Sequence, residues 1–137
     1  MKNQFKYTVI GFFMLMVFSV FSGMVETVFF DNPLPIHQNF EDNWWLLFTS
    51  LLIAPIFEEW LFRKVILSKL EKRFSFEMSN VISSLLFAVA HLDWFVLPYF
   101  LNGLTYGWVM KKTNKLYSAI ILHSLYNAVV ILTAINI

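Results

Sequence analysis

Five stretches of this chain run without a formal charge: Tyr7–Val25, Asn43–Phe57, Met78–Leu92, Trp94–Met110 and Leu116–Ile137. A helix needs about 20 mostly apolar residues to cross a bilayer. The first and last stretches meet that length. The middle three fall short unless flanking polar residues enter the membrane with them, yet they are too long and too apolar for strands. The pattern predicts an all-α protein, a polytopic transmembrane helical bundle of about five spans. Asn43–Arg73 reads as one long helix whose second half, Arg63–Arg73, emerges into the inner interface. Met78–Met110 must hold two crossings and a turn near Pro98. At about 1.5 Å per residue it is short for two full passages of a core about 30 Å thick. That hairpin is expected to sit tilted, shallow or enclosed by the other helices. The chain divides into an N-terminal span with an external loop, 1–42, and a helical core, 43–137.

The placement of Lys and Arg orients the bundle. Lys2 and Lys6 precede the first span. Lys64, Lys69, Lys72 and Arg73 follow the second, and Lys111, Lys112 and Lys115 separate the last two, whereas 30–42 has no basic residue. The positive-inside rule puts the N-terminus in the cytoplasm and the loop with Pro33, Pro35 and His37 outside. The first span follows basic residues as a signal peptide would. Its apolar run is longer than the roughly 7–15 residues of a signal core and no small-residue cleavage site follows, so a retained span is expected.

Composition strengthens this picture and narrows the chemistry. Hydrophobic residues make up 58% of the chain and charged residues 14%, where a soluble domain carries about 25% charged residues. So few charges could not cover a soluble surface. A net charge of +1 leaves no electrostatic footprint for nucleic acid. The absence of Cys removes thiolate catalysis, disulfides and Cys-ligated metals. The expected localisation is multi-pass in a cell membrane, with lipid as surroundings, and the Phe-, Lys-, Asn- and Ile-rich usage hints at a bacterium.

Ionisable residues inside apolar helices are costly in a bilayer and mark function. Glu58 and Glu59 stand side by side in the second span. Glu59 and Arg63 are at i, i+4 with Glu on the N-terminal side, the favoured order for a pair. Glu58 points about 100° away, free for proton transfer. His91 ends a helix rich in small residues, Ser83-Ser84-Leu85-Leu86-Phe87-Ala88, which suits close packing. In the last span His123 and Asn127 share a face at i, i+4. Such a pair can bind a metal, cross-link helices or stabilise an oxyanion. Gly103-Leu104-Thr105-Tyr106-Gly107 reads as a packing motif. Glu26 and His37 read as interfacial and solvated residues.

Together, the order E-E-x-x-x-R, F-x-x-x-H and H-x-x-x-N over residues 44–137 resembles the CAAX protease and bacteriocin-processing (Abi) family. These are intramembrane proteases related to the type II CAAX prenyl endopeptidases. Glu58, Glu59 and Arg63 fit the first motif, Phe87 and His91 the second, His123 and Asn127 the third. Lys64 departs from the Gly that family members often carry there. The resemblance implies hydrolysis of a peptide bond in a peptide or membrane-protein substrate. Glu58 and His91 would activate a water, His123 and Asn127 would hold the oxyanion, and Glu59 and Arg63 would support them from behind. A metal-independent mechanism is expected. If a divalent metal such as zinc takes part, Glu58, His91 and His123 are its ligands. Two other classes compete: a non-catalytic bacteriocin self-immunity membrane protein of the same family, and a transporter using buried Glu and His. Counting helical rise from the charged segments puts the candidate residues at overlapping depths, so they are expected to line one polar cavity that opens towards the cytoplasm.

Overall fold

A computed structural model describes residues 2–30 and 43–135; the loop expected around His37 lies outside them. The described residues form five helices: α1 (Lys2–Phe29), α2 (Trp44–Leu70), α3 (Phe76–Ala90), α4 (Leu97–Thr113) and α5 (Leu116–Ile135). Three of them, α1, α2 and α5, are long and apolar enough to cross a membrane. Their outward faces carry Phe13, Val17, Phe21, Phe57, Trp60 and Leu132 in the open, an apolar surface suited to lipid rather than water. This is an all-α membrane helical bundle.

The short hairpin is α3 and α4, 15 and 17 residues long. α4 is its enclosed member, packed on α1, α3, α5 and the latter part of α2. The turn falls at 91–96 rather than at Pro98, which occupies the first turn of α4, where its missing N–H leaves no helical bond unmade. α3 stops because Leu92 adopts a left-handed φ of 55°. For a side chain other than glycine that conformation costs about 1–2 kcal/mol. The next turn uses Asn114 at φ 53°, a residue that tolerates the left-handed region. Ser75 caps the other end of α3 by accepting from the Met78 amide, as Asn43 caps α2 by accepting from Leu46.

α3 and α4 touch through small residues. A Cβ added to Gly103 would lie 2.9 Å from the Ser84 Cβ, and one on Gly107 would collide with the Asn80 amide. Asn80 uses that proximity to donate to the Leu104 carbonyl at 3.0 Å. α1 joins the same core through Leu15, which packs with Val109 and Leu122 around the central ring of Tyr106.

α2 is not a uniform α-helix. Two π segments, Thr49–Ile53 and Trp60–Leu67, flank the Glu pair. The first has a readable cause. The Ala54 amide bonds back to Thr49, and the next residue is Pro55, which has no N–H to offer Ser50. The Ser50 carbonyl is left for a partner outside the helix. In the second segment the Phe62 carbonyl accepts from the Ser83 hydroxyl at 2.7 Å. Such π bulges frequently sit at functional sites.

The helices alternate in direction. At one end Tyr117 donates to Gln4 at 2.8 Å and Lys111 pairs with Glu71 at 2.6 Å, so the basic segments gather there. At the other end Phe30 meets Trp94 edge-on, with ring centroids 4.2 Å apart.

Candidate active site

The two adjacent carboxylates of α2 face different neighbours because successive helical residues turn by about 100°. Glu59 points into the core and is fully buried with Arg63. Arg63 Nε lies 3.1 Å from Glu59 Oε2, as the i, i+4 spacing predicts; the angle makes this an ion pair rather than a hydrogen bond. Arg63 Nη2 donates to the Gly103 carbonyl at 3.1 Å, and the guanidinium lies 4.6 Å from the Phe87 ring centroid. The expectation that α2 emerges into the interface at Arg63 is therefore corrected. Arg63 is held inside the bundle because its partner carboxylate is there.

Glu58 faces a cavity of about 340 Å³ lined by Ser50, Glu58, Phe87, His91, Pro98, Tyr99, Asn102, Tyr106, His123, Tyr126, Asn127, Val130 and Ile131. The four residues singled out for chemistry, Glu58, His91, His123 and Asn127, are all on its wall. His91 Nε2 lies 3.9 Å and His123 Nε2 3.8 Å from the same atom, Glu58 Oε2. That oxygen makes no hydrogen bond to the described residues.

Both imidazoles are turned by their other nitrogen. His91 Nδ1 lies 2.8 Å from the Phe87 carbonyl. A carbonyl only accepts, so Nδ1 carries the proton and donates. In the neutral ring Nε2 then presents a lone pair towards Glu58. His123 Nδ1 lies 2.9 Å from Glu59 Oε1, which joins the buried ion pair to the cavity wall. Each ring is also stacked on a tyrosine of α4: His91 on Tyr99 at 4.1 Å between centroids, His123 on Tyr106 at 4.6 Å. Tyr99 and Tyr106 are seven residues apart, two turns on one face. Sequence reasoning passed over both tyrosines. The signal available was their i, i+7 spacing across the glycine motif.

Asn127 is anchored by the irregularity in α2. Its Nδ2 donates at 2.9 Å to the Ser50 carbonyl, the one that Pro55 leaves without a helical partner. Nδ2 retains one hydrogen beyond this bond.

The cavity extends from Glu58 and His123 towards Pro98, Tyr99, Val130 and Ile131. Its wall therefore lies towards the 91–96 turn and holds no lysine or arginine. α3 starts among the basic segments, so His91 at its far end sits a whole helix length away from them.

A tetrahedral zinc ion bonds its N and O ligands at about 2.0–2.2 Å, which places them about 3.3–3.6 Å from one another. The Glu58 to His separations of 3.8 and 3.9 Å are wider. Among the described residues no group of three or more His, Asp or Glu is drawn together as a metal site. The tied Nδ1 atoms are oriented as they are in metal centres, and a shift of a few tenths of an ångström would bring Glu58 and the two histidines to ligating distance.

The fold and the convergent Glu and His side chains define a polytopic helical membrane protein with a polar cavity inside its bundle. The chain belongs to the family described as type II CAAX prenyl endopeptidase Rce1-like, whose model matches residues 40–129. Two relatives are similar to it. YdiL of Bacillus subtilis (strain 168), which carries a membrane-peptidase name, is 26% identical over 133 residues, covering 92% of this chain and 54% of YdiL. The membrane-embedded CAAX protease MroQ of Staphylococcus aureus (strain USA300) is 34% identical over 93 residues, covering 63% of this chain and 38% of MroQ. The chain thus spans about half the length of the first relative and less of the second. No solved structure matches it.

Proposed function

We propose that this chain is an intramembrane endopeptidase of the CAAX type. The observation that carries the reading is the convergence of two imidazole Nε2 atoms on one unbonded carboxylate oxygen, at 3.8 and 3.9 Å. A water between them can donate to Glu58 Oε2 and to the His91 Nε2 lone pair at about 2.8 Å without any side chain moving. In the proposed reaction Glu58 takes one proton of the water, with the His91 Nε2 lone pair orienting the other, as the water oxygen attacks the peptide carbonyl; Glu58 then passes that proton to the leaving amine nitrogen as the C–N bond breaks. His123 and the free Nδ2 hydrogen of Asn127 hold the developing oxyanion. For His123 to donate there its Nε2 must carry a hydrogen. The ring then spans from Glu59 at Nδ1 to the oxyanion at Nε2–H. Glu59 and Arg63 serve by fixing that ring.

The reading needs no metal. Zinc, if it bound, would use Glu58, His91 and His123 and would supply Lewis-acid polarisation. The proposed partners are membrane lipid and a peptide or membrane-protein substrate, with no nucleic acid. The proposed setting is a bacterial cell membrane with the N-terminus inside. Neither the relatives nor the geometry favours the self-immunity reading.

The test is turnover of a library of membrane peptides by the purified wild type and a Glu58→Ala variant, each with and without chelator. Cleavage that Glu58→Ala abolishes and the chelator spares is expected. Equal cleavage by both proteins overturns the reading. Loss with chelator, restored by zinc, overturns its metal-independent form.

A further inference from the structure

Asn102 was no part of the motifs, yet it lies between the two histidine clamps. On α4 it follows Tyr99 by three residues and precedes Tyr106 by four, so all three share one face. Tyr99 stacks on His91 and Tyr106 on His123; Asn102 sits between those levels and lines the same cavity. The residue is only 6% exposed; its side-chain amide makes no hydrogen bond to the described residues and keeps its remaining accessible surface on the cavity. An amide placed there can exchange a water for a ligand group. The α4 backbone is pinned at this height: Arg63 Nη2 holds the Gly103 carbonyl and Gly103 abuts Ser84. The level of Asn102 in the cavity is therefore fixed by the same buried ion-pair cluster.

We propose that Asn102 contacts the substrate, pairing its amide with a main-chain peptide group beside the scissile bond. A carboxamide offers one acceptor and a donor in the same plane, the complement of a peptide N–H and C=O in extended chain. Glu58 and the two imidazoles occupy the reacting centre, and Asn102 on the opposite helix holds the peptide across it. The ligand class is the backbone itself, which leaves side-chain preference to the apolar wall around Val130 and Ile131. This inference rests on the peptidase reading.

The experiment uses the full chain in detergent micelles and a quenched-fluorescent peptide that the wild type cleaves. Asn102→Leu should lower kcat/KM by about 10–100-fold, mostly through a raised KM, because a contact made equally in ground and transition states acts on binding. Its melting temperature should be unchanged, since the amide bonds no other described residue; a purely structural asparagine would give a lower one. A scan of singly N-methylated peptides on the wild type needs no variant to fold. One position should lose a similar factor on the wild type and nothing further on Asn102→Leu. Unaltered KM in Asn102→Leu, or N-methyl losses that all add to the mutation, overturns the inference. Abolished cleavage in Glu58→Ala alongside wild-type kinetics in Asn102→Leu sinks this inference alone. Wild-type cleavage by Glu58→Ala, or no cleavage by the wild type, sinks the peptidase reading with it.

Discussion

Glu58 and Glu59 are neighbours in sequence and occupy two regions built on opposite rules. Around Glu59 everything is closed. Arg63 and His123 Nδ1 meet its carboxylate, the Gly103 carbonyl and the Phe87 ring hold Arg63 in turn, and no surface of Glu59 or Arg63 remains open. Around Glu58 the same kinds of group stand apart, at 3.8 and 3.9 Å, with a cavity in front of them. The difference teaches how a bundle keeps a wet site inside an apolar helix. One carboxylate is consumed in a buried ion pair that fixes helix positions, and that rigidity lets the other remain unpaired. His123 links the regions, with one ring nitrogen in each.

The comparison can be broken first on the closed side. Arg63→Ala leaves Glu59 buried beside a histidine alone. Removing one partner of a buried pair costs about 3–5 kcal/mol, so abundance and melting temperature should fall sharply, measured by purified yield and thermal unfolding. Normal abundance would show that Glu59 does not depend on Arg63.

A smaller loss is expected where α3 and α4 press together. Gly107→Leu drives a side chain into Asn80, and overpacking of this kind costs about 1–3 kcal/mol. Thermal unfolding should show the drop. Glycine to alanine or leucine at Gly23, where an added Cβ meets nothing within 4 Å, should leave the melting temperature unaltered.

The gentlest perturbation sharpens the open side. Pro55→Ala restores an N–H that can reach the Ser50 carbonyl and compete with Asn127. The melting temperature should hold or rise, while kcat/KM falls about tenfold, the value of one neutral hydrogen bond used for positioning. Unchanged kinetics would detach Asn127 from the π segment.

Much of this architecture was legible in the chain. Charge-free runs marked the helices, and the i, i+4 spacing of Glu59 and Arg63 specified their pairing because it is a local property of one helix. Four residues of the cavity wall, Glu58, His91, His123 and Asn127, were also named from their types and positions. What could not be read depends on how helices rotate against one another. Tyr99, Tyr106 and Asn102 lie beside a glycine motif that explains itself as packing, and only the rotation of α4 turns them towards the histidines. Pro55 was visible in front of the Glu pair, yet the freed Ser50 carbonyl requires the π register of Thr49–Ile53.

The central claim is the division of labour between the two carboxylates, and the most direct measurement sets Glu58→Gln beside Glu59→Gln with two readouts, melting temperature and peptide-cleavage rate. Both substitutions keep shape and remove charge. Glu58→Gln should melt like the wild type and lose at least about 10³-fold in kcat, as expected when the group that takes the proton is gone. Glu59→Gln should melt well below the wild type, by leaving Arg63 buried and unpaired, and the molecules still folded should retain measurable turnover. The reverse pattern, a stable but inactive Glu59→Gln beside an unstable or active Glu58→Gln, would contradict the account.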